Sequence, residues 1–466
     1  MNGLLKYVLL LFYSIVFQTA YAQLENVSTL KQYYSLGSYS DFYGYSCPEI
    51  KSLNIQIDKE TLEFLKAHKD YSIADFPNLE IVEITEARIS YSSYEGYPSL
   101  FISNLNGEDI EVFQNWLNEI DKLDSLSKLT IPSFFNIKPI KSLETLDLLH
   151  YNYIHNSIYE NQSQVTHLGI RSNEQDLQSI GFNFKYFDDL SKLTLAFFSE
   201  NIASVQLPNL EHCNKLKVTS VFFQKGKNVT FSGHIYGNTF AIYGDSLKSL
   251  LFSEVSAVDK LNFFEFSGMQ LNNYNFSGLT FNSQNLECNL YLNSIDLFDF
   301  SKLPQNTKYE KLTINGHSLT EIKFPENSIT INNLSIVSES LVILSPGITS
   351  IIELKKVIFN TPKLEFIAED LYALNTLEYL DINQSNLERI PVDIENMSNC
   401  NYLMMNINNI YRSDLKRLGK LKSLGEIYIS ESKPHSIKSL KRKKSKEKFL
   451  KRQFNNYEVE VLISEY

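Results

Sequence analysis

Residues 377–391 read LEYLDINQSNLERIP, and this stretch decides the fold. Apolar side chains occupy its positions 1, 4, 6, 11 and 14, and a serine occupies position 9. Positions 4 and 6 alternate with 3, 5 and 7, which is the periodicity of a strand with one buried side. A polar residue at position 9 indicates a turn, because its side chain can hydrogen-bond backbone groups that would otherwise stay unpaired. The stretch therefore predicts a strand, a turn and a returning segment.

The first half of this phrase, apolar-x-x-apolar-x-apolar, recurs along the chain every twenty-odd residues. A fixed period of this length predicts a solenoid, because each unit can bury its apolar side only against its neighbours. The clearest copies are Leu143-x-x-Leu146-x-Leu148, Val165-x-x-Leu168-x-Ile170, Leu190-x-x-Leu193-x-Leu195, Tyr309-x-x-Leu312-x-Ile314, Ile331-x-x-Leu334-x-Ile336, Leu377-x-x-Leu380-x-Ile382, Cys400-x-x-Leu403-x-Met405 and Leu424-x-x-Ile427-x-Ile429.

The second half of the phrase also returns, with Leu319 and Ile322 in the copy at 309 and Ile410 in the copy at 400. With these residues the chain resembles the leucine-rich repeat family over most of its length. The resemblance implies an α/β solenoid, a horseshoe with a parallel strand ladder on its concave face. It also implies irregular strand-like or short helical convex segments and terminal caps. In that family the strand side commonly binds ligands.

The pattern changes in two parts of the chain. Between about 226 and 287 the phrases weaken, at 229–231, 247–252 and 261–266, and Gly and aromatic residues become frequent. There we expect short repeats with strand-like return segments, and the register stays open. Nearer the start, apolar spacing predicts helices over 61–68 and 107–123.

The N-terminus predicts an export signal. Lys6 precedes an apolar stretch, and Ala20-Tyr21-Ala22 forms a small-x-small cleavage site before Gln23. The stretch is shorter than the roughly 20 apolar residues that span a bilayer, and no other candidate span is present. We expect a secreted or extracytoplasmic protein, periplasmic or at the cell surface. Its expected parts are a signal peptide (1–22), an N-terminal cap and first repeat (23–76), a repeat array (77–435) and a C-terminal cap of a basic helix and final strand (436–466).

Four cysteines stand at 47, 213, 288 and 400. Exported proteins often form disulfides, but Cys213 and Cys400 stand at what we interpret as position 1 of the phrase. This placement predicts small buried side chains. We therefore expect free thiols and no zinc site.

The charge is unevenly distributed. The formal net charge is −11, although residues 438–452 (KSLKRKKSKEKFLKR) are strongly basic. The acidic remainder argues against general nucleic-acid binding. The basic run is interpreted either as the charged outer face of a terminal helix or as an attachment to an anionic partner.

Catalytic chemistry has no support in the sequence. The 8 histidines are scattered and form no metal-ligand spacing. No nucleophile elbow, phosphate-binding loop or dinucleotide-binding motif occurs. We expect no enzyme activity, no metal and no cofactor.

The repeat register predicts where a ligand would bind. Outward positions 3, 5 and 7 of the last phrases bring together Tyr379, Asp381, Tyr402, Met404 and Tyr428. Strands of a ladder lie about 4.8 Å apart, so Tyr379 and Tyr402 should stand side by side with Tyr428 close by. Exposed tyrosine and methionine are typical of contact surfaces. The alternative is a tyrosine ladder that only stabilises the sheet.

These observations favour an exported, non-enzymatic protein that recognises a protein or glycan through its strand ladder. One alternative is a structural or adhesive cell-surface spacer tethered through its basic end. A second alternative is a hydrolase hidden in the irregular middle.

Overall fold

The computed structural model describes residues 51–465, with gaps at 58, 70–71, 87–106, 133–134, 136, 150–163, 173–183, 199–201, 259–260, 282, 391, 407–408, 422, 432–443, 447 and 453–459. The predicted signal peptide (1–22), Cys47 and the start of the expected C-terminal cap at 436 lie outside the described residues. The chain forms two compact units. The first comprises Met1–Asn173, Ser179–Leu193 and His212–Lys215, and the second comprises Glu174–Gln178, Thr194–Glu211 and Leu216–Tyr466.

The described elements of the first unit are strands and short helices. The strands are β1 (Ser52–Ile57), β2 (Ile81–Glu86), β3 (Lys128–Pro132), β4 (Thr145–Leu149) and β5 (His167–Ser172). The α-helices are α1 (Lys59–Ala67) and α2 (Gly107–Leu117), and the 3-10 helices are Ile73–Asp75, Ile120–Lys122 and Phe184–Tyr186. Strand β6 (Lys192–Phe197) crosses from one unit into the other along the chain.

The five strands of the first unit pair in parallel and in register. This register aligns Leu53, Val82, Leu129, Leu146 and Leu168, each at most 1% exposed. These are the position 4 side chains of the repeat. This buried line of side chains confirms that each repeat covers its apolar side with the next repeat.

The two predicted helices are present. In α2, Glu108 and Asp109 lie in the first turn, where carboxylates favour the positive end of the helix dipole. The α-helix ends at Leu117, earlier than predicted, and a 3-10 turn follows at Ile120–Lys122. Asn118, a residue with low helix propensity, lies between the two.

The second unit contains most of the described strands. They are β7 (Ser204–Gln206), β8 (Val218–Phe223), β9 (Asn228–Ile235), β10 (Thr239–Tyr243), β11 (Ser249–Ala257), β12 (Phe263–Ser267), β13 (Asn273–Asn275), β14 (Leu279–Thr280), β15 (Leu286–Tyr291), β16 (Leu297–Asp299), β17 (Lys308–Asn315), β18 (Glu321–Lys323), β19 (Ile329–Val337), β20 (Ile343–Leu344), β21 (Ile351–Ile352), β22 (Lys356–Asn360), β23 (Phe366–Ile367), β24 (Tyr379–Ile382), β25 (Tyr402–Asn406), β26 (Glu426–Glu431) and β27 (Glu460–Glu465). Helix α3 spans Arg412–Leu418, and the 3-10 helices are Phe300–Lys302, Ile348–Ser350, Glu369–Ala373 and Val392–Asn396.

A parallel ladder runs through this unit from β8 to β27, through β10, β12, β15, β17, β19, β22, β24, β25 and β26. Its inward line includes Leu312, Leu334, Val357, Leu380 and Leu403, each at most 1% exposed. The predicted solenoid with a parallel strand ladder is confirmed. We call the opposite side of these strands, positions 3, 5 and 7, the ladder face.

The irregular middle forms a second sheet on the return side. Strands β7, β9, β11 and β13 pair in parallel, and β14 pairs with β11. The expectation of strand-like return segments is confirmed. However, the phrases at 229–231 and 247–252 lie in this return sheet, while the phrase at 261–266 lies in the ladder. The register, which the sequence left open here, could not be read from the pattern because both sheets bury alternate residues.

Phenylalanine rings fill the space between these two sheets. Phe231 stacks on Phe252 with centroids 5.3 Å apart, and it meets Phe240 edge-on at 6.4 Å. Phe264 similarly meets Phe276 edge-on at 5.9 Å. Packed sheets lie about 10 Å apart, and large rings from both sides close that distance. This packing explains why Phe takes the place of Leu in the middle repeats.

The described cysteines are free and buried, as predicted. Cys400 stands at position 1, as predicted. The predicted position of Cys213 is wrong: the ladder register places Thr219 and Val221 at positions 4 and 6, so Leu216 takes position 1, three residues after Cys213. Burial raises the pKa of Cys213 to about 11 and the pKa of Cys400 to about 12, and it also raises the pKa of Cys288.

The end of the chain contains the predicted final strand. In β27, Val461 pairs with Ile427 and Ile463 with Ile429, so the parallel backbone register of the ladder continues into this strand. The role of this segment as a cap stays a prediction.

Candidate functional site

Three consecutive strands bring the five predicted site residues into one block on the ladder face. Tyr379 pairs with Tyr402, and Asp381 pairs with Met404. Met404 in turn pairs with Tyr428. All five side chains are half-buried. We call Tyr379, Asp381, Tyr402, Met404 and Tyr428 the tyrosine patch. The predicted adjacency is confirmed.

The two paired tyrosines form a closed stack. Their ring centroids lie 4.4 Å apart and the planes differ by 5°. On the strand before them, Lys356 pairs with Tyr379 and holds its Nζ atom 4.2 Å from the centroid of that ring. Both faces of Tyr379 are therefore covered, by a cation on one side and by Tyr402 on the other. The ring edges are left for contact with a ligand.

This stack also supports the sheet. Aromatic pairs contribute about 0.5–1.5 kcal/mol beyond the area they bury. The Tyr379 hydroxyl additionally donates a hydrogen bond to Met404 Sδ at 3.5 Å. The structural alternative for the tyrosines thus has direct support, and any test of binding must separate the two roles.

Asp381 lies at the centre of the patch. Burial raises the pKa of its carboxyl group, while the hydrogen bond from Asn383 N and the charge of Lys356 act in the opposite direction. The Asn383 N–H donates to Asp381 Oδ1 at 3.0 Å. One carboxylate oxygen is therefore fixed by the strand end. A partly desolvated carboxylate gains from a hydrogen-bond donor or a cation supplied by a partner.

The tyrosine hydroxyls stay protonated far into the alkaline range. Burial raises the pKa of Tyr379 to about 12, and the Asp381 charge adds to the shift. Burial and the charge of Glu426 raise the pKa of Tyr402. At neutral pH both groups are hydrogen-bond donors and acceptors.

The predicted site did not include Lys356 and Glu426, which stand on the strands on either side of the two stacked tyrosines. Lys356 stands at position 3 of the phrase Leu354-x-x-Val357-x-Phe359, and Glu426 pairs with Tyr402. The signal was available, since position 3 of adjacent phrases reads Lys, Tyr, Tyr and Glu. The row runs from a cation through two rings to an anion.

Outside this patch, one contact bears on the hydrolase alternative. His234 Nδ1 and Ser256 Oγ lie 2.7 Å apart on the exposed return sheet. Nucleophilic catalysis needs such a pair, together with a group that orients the histidine and donors that stabilise an oxyanion. The His234 ring has Tyr236 edge-on at 6.4 Å, which does not orient it in that way. Among the described residues, no group of three metal-binding side chains converges.

The described helices are all too short or too polar to span a membrane.

Comparison with known proteins finds similar solved structures. No family model matches the chain, and no curated protein matches it. An internalin of Listeria monocytogenes is 15% identical over 74% of this chain and 82% of that chain, with a TM-score of 0.28. A leucine-rich repeat protein of Leptospira interrogans is 13% identical over 72% of this chain and 95% of that chain, with a TM-score of 0.27. The plant peptide hormone receptor RGFR1 in complex with RGF2 is 16% identical over 74% of this chain and 64% of that chain, with a TM-score of 0.22.

These superpositions are loose. What the chain shares with leucine-rich repeat proteins is the repeat unit itself: an in-register parallel strand whose positions 4 and 6 are buried and whose positions 3, 5 and 7 form the ladder face. In this respect the chain resembles the leucine-rich repeat family.

Proposed function

We propose that this chain is an exported, non-enzymatic binding protein that recognises a protein or glycan through the tyrosine patch. The observation that carries the proposal is the block of five half-buried side chains on three paired strands. Because strands hold these groups in place, a ligand does not have to order a loop before it binds. Tyrosines also lose little rotamer entropy on binding.

The chemistry of the patch suits a polar surface with exposed donors. Tyrosine hydroxyls and the free oxygen of Asp381 can accept hydrogen bonds, and ring edges and Met404 supply apolar contact. Peptide groups and sugar hydroxyls both meet this description. Export is proposed from the signal-like sequence at 1–22, which predicts Gln23 as the first residue of the secreted form.

Site-specific photo-crosslinking tests where the partner binds. A photoreactive side chain is placed at Met404 on the ladder face, and in a control protein at Glu365, which is exposed on the return side. Each protein is irradiated with surface extract from its host and, separately, on a glycan array. We expect specific adducts from position 404 and none from position 365. Adducts from position 365 alone would place the binding surface on the return side and contradict the proposal.

Salt dependence separates recognition by the patch from tethering through the basic end. An attachment through residues 438–452 should weaken strongly as salt rises, because exposed charges are screened beyond about 8–10 Å at physiological ionic strength. Contacts made by half-buried tyrosines should depend on salt much less. A captured partner that is released by moderate salt would therefore support the spacer alternative.

A further inference from the structure

A second aromatic group lies on the ladder face of the second unit, on strands β8, β10, β12 and β15. Position 7 of these strands carries Phe222, Tyr243, Ser267 and Tyr291 in register. Two tyrosines thus stand on either side of a serine, with one strand between them. Since serine is small, it leaves room between the two rings.

Phe222 fixes the orientation of the first tyrosine. The rings of Phe222 and Tyr243 are stacked, with centroids 4.9 Å apart and planes 20° from parallel. Phe222 lies on the strand before Tyr243, so the opposite face of the Tyr243 ring is turned along the ladder toward Ser267 and Tyr291. Both tyrosines are half-buried, and Phe222 is 40% exposed.

The strand spacing sets the size of the gap. Tyr243 and Tyr291 stand two strand spacings apart, about 9.6 Å. A group midway between them lies about 4.8 Å from each, inside the limit of about 6 Å for a cation over an aromatic ring. The tyrosine patch offers no such gap, because Tyr379 and Tyr402 occupy adjacent strands and stack directly at 4.4 Å.

The base of the gap is acidic. Glu265 stands at position 5 of β12, on the same strand as Ser267, and its carboxylate lies near enough to the Tyr243 hydroxyl to raise the pKa of that group. Glu287 is exposed at position 3 of β15, and the strand register places it opposite Lys311 of β17. Burial, together with the neighbouring Glu265 carboxylate and the Tyr291 phenol, raises the pKa of Tyr243 to about 12. Ring and carboxylate therefore converge on the same space.

We propose that Tyr243, Tyr291 and Glu265 clamp the guanidinium group of an arginine side chain presented by a protein segment. A guanidinium is flat, so it can stack between two rings, and its fork of N–H donors can engage a carboxylate. A lysine ammonium has the charge but lacks the flat face. This site is separate from the tyrosine patch, and the inference does not rest on the function proposed for that patch.

Blocked tripeptides test the chemistry of the clamp. The probes are acetyl-Gly-Arg-Gly-amide and its citrulline counterpart, which keeps the planar shape and lacks the charge. Binding to the full mature chain is followed by saturation-transfer NMR with millimolar peptide. We expect the arginine peptide to bind about tenfold more tightly than the citrulline peptide, as loss of one cation–π and ion-pair contact implies. Equal binding of the two peptides, or no binding of the arginine peptide, would overturn the inference.

Two variants locate the site. Glu265→Gln keeps the size of the side chain and removes the charge, and Tyr291→Ala removes one ring. Each should weaken arginine-peptide binding about tenfold at an unchanged circular dichroism spectrum. Tyr402→Ser, in the tyrosine patch, is the matched control and should leave this binding unchanged. If the arginine peptide binds Glu265→Gln as tightly as the parent, or if Tyr402→Ser abolishes its binding, the clamp lies elsewhere.

Discussion

Replacing Leu403 by alanine tests the repeat register at its best-defined point. Leu403 is 0% exposed and lies between Leu380 and Ile427, which are also fully buried. Leucine-to-alanine changes at such sites cost about 2–5 kcal/mol, since the lost burial is joined by a residual cavity. Coils on both sides of the site are fixed by strand pairing, so the cavity can collapse only in part. We expect a loss of about 3 kcal/mol in the free energy of unfolding.

The neighbouring residue supplies the matched control. Met404 lies on the same strand with its side chain on the ladder face, so Met404→Ala should cost about 1 kcal/mol or less. Urea unfolding followed by far-ultraviolet circular dichroism measures both. With a denaturant dependence of about 3 kcal/mol/M, Leu403→Ala should lower the midpoint by about 1 M. Equal shifts for the two variants, or a larger one for Met404→Ala, would refute the register.

Three further predictions follow from burial and backbone geometry. The three described cysteines, all buried, should react with a thiol reagent only after denaturation, and a cysteine that is protected in the unreduced, denatured chain would indicate a disulfide. Burial raises the folded-state pKa of Tyr379 to about 12, so its contribution to stability is fully present below the ordinary tyrosine value and is lost as pH rises from about 10 through 12. The phenolate absorbance of the native protein should therefore rise at a higher pH than that of the urea-unfolded chain. Coincident titration curves would count against this burial. Glu254 lies at the bulge in β11 with φ of 54°, a conformation that glycine adopts without strain. Glu254→Gly should therefore stabilise the protein by about 0.5–1 kcal/mol, whereas Ser253→Gly in the same bulge should not. A loss of stability in Glu254→Gly would show that the carboxylate has another role.

The ladder was predictable because its signal is repeated and local. Each phrase such as 377–382 alternates buried and exposed residues, and burial at positions 4 and 6 follows from strand geometry alone. The side-by-side arrangement of Tyr379 and Tyr402 followed from the same register. A repeat therefore converts a spacing in sequence into a neighbour relation in space.

The middle of the chain was not predictable to the same depth. A strand in the return sheet, such as β9, buries alternate residues just as a ladder strand does, so one sequence cannot assign it to either layer. The closed stack of Tyr379 and Tyr402 also depends on side-chain rotamers, and spacing says nothing about them. The gap between Tyr243 and Tyr291 emerged only when the register of β10, β12 and β15 was known.

The most direct test of the binding surface compares two double variants of the tyrosine patch. Tyr379→Phe with Tyr402→Phe keeps the ring stack, while Tyr379→Ser with Tyr402→Ser removes it. Affinity for the partner identified by cross-linking at position 404 is measured beside the free energy of unfolding. We predict that the serine variant loses about thirtyfold in affinity, the equivalent of about 2 kcal/mol for buried aromatic anchors, and only about 1 kcal/mol in stability. The phenylalanine variant should keep most of the stability and lose only the part of the affinity that the two hydroxyls contribute. A serine variant that binds its partner normally but unfolds easily would show that the tyrosines only stabilise the sheet and that the ligand binds elsewhere.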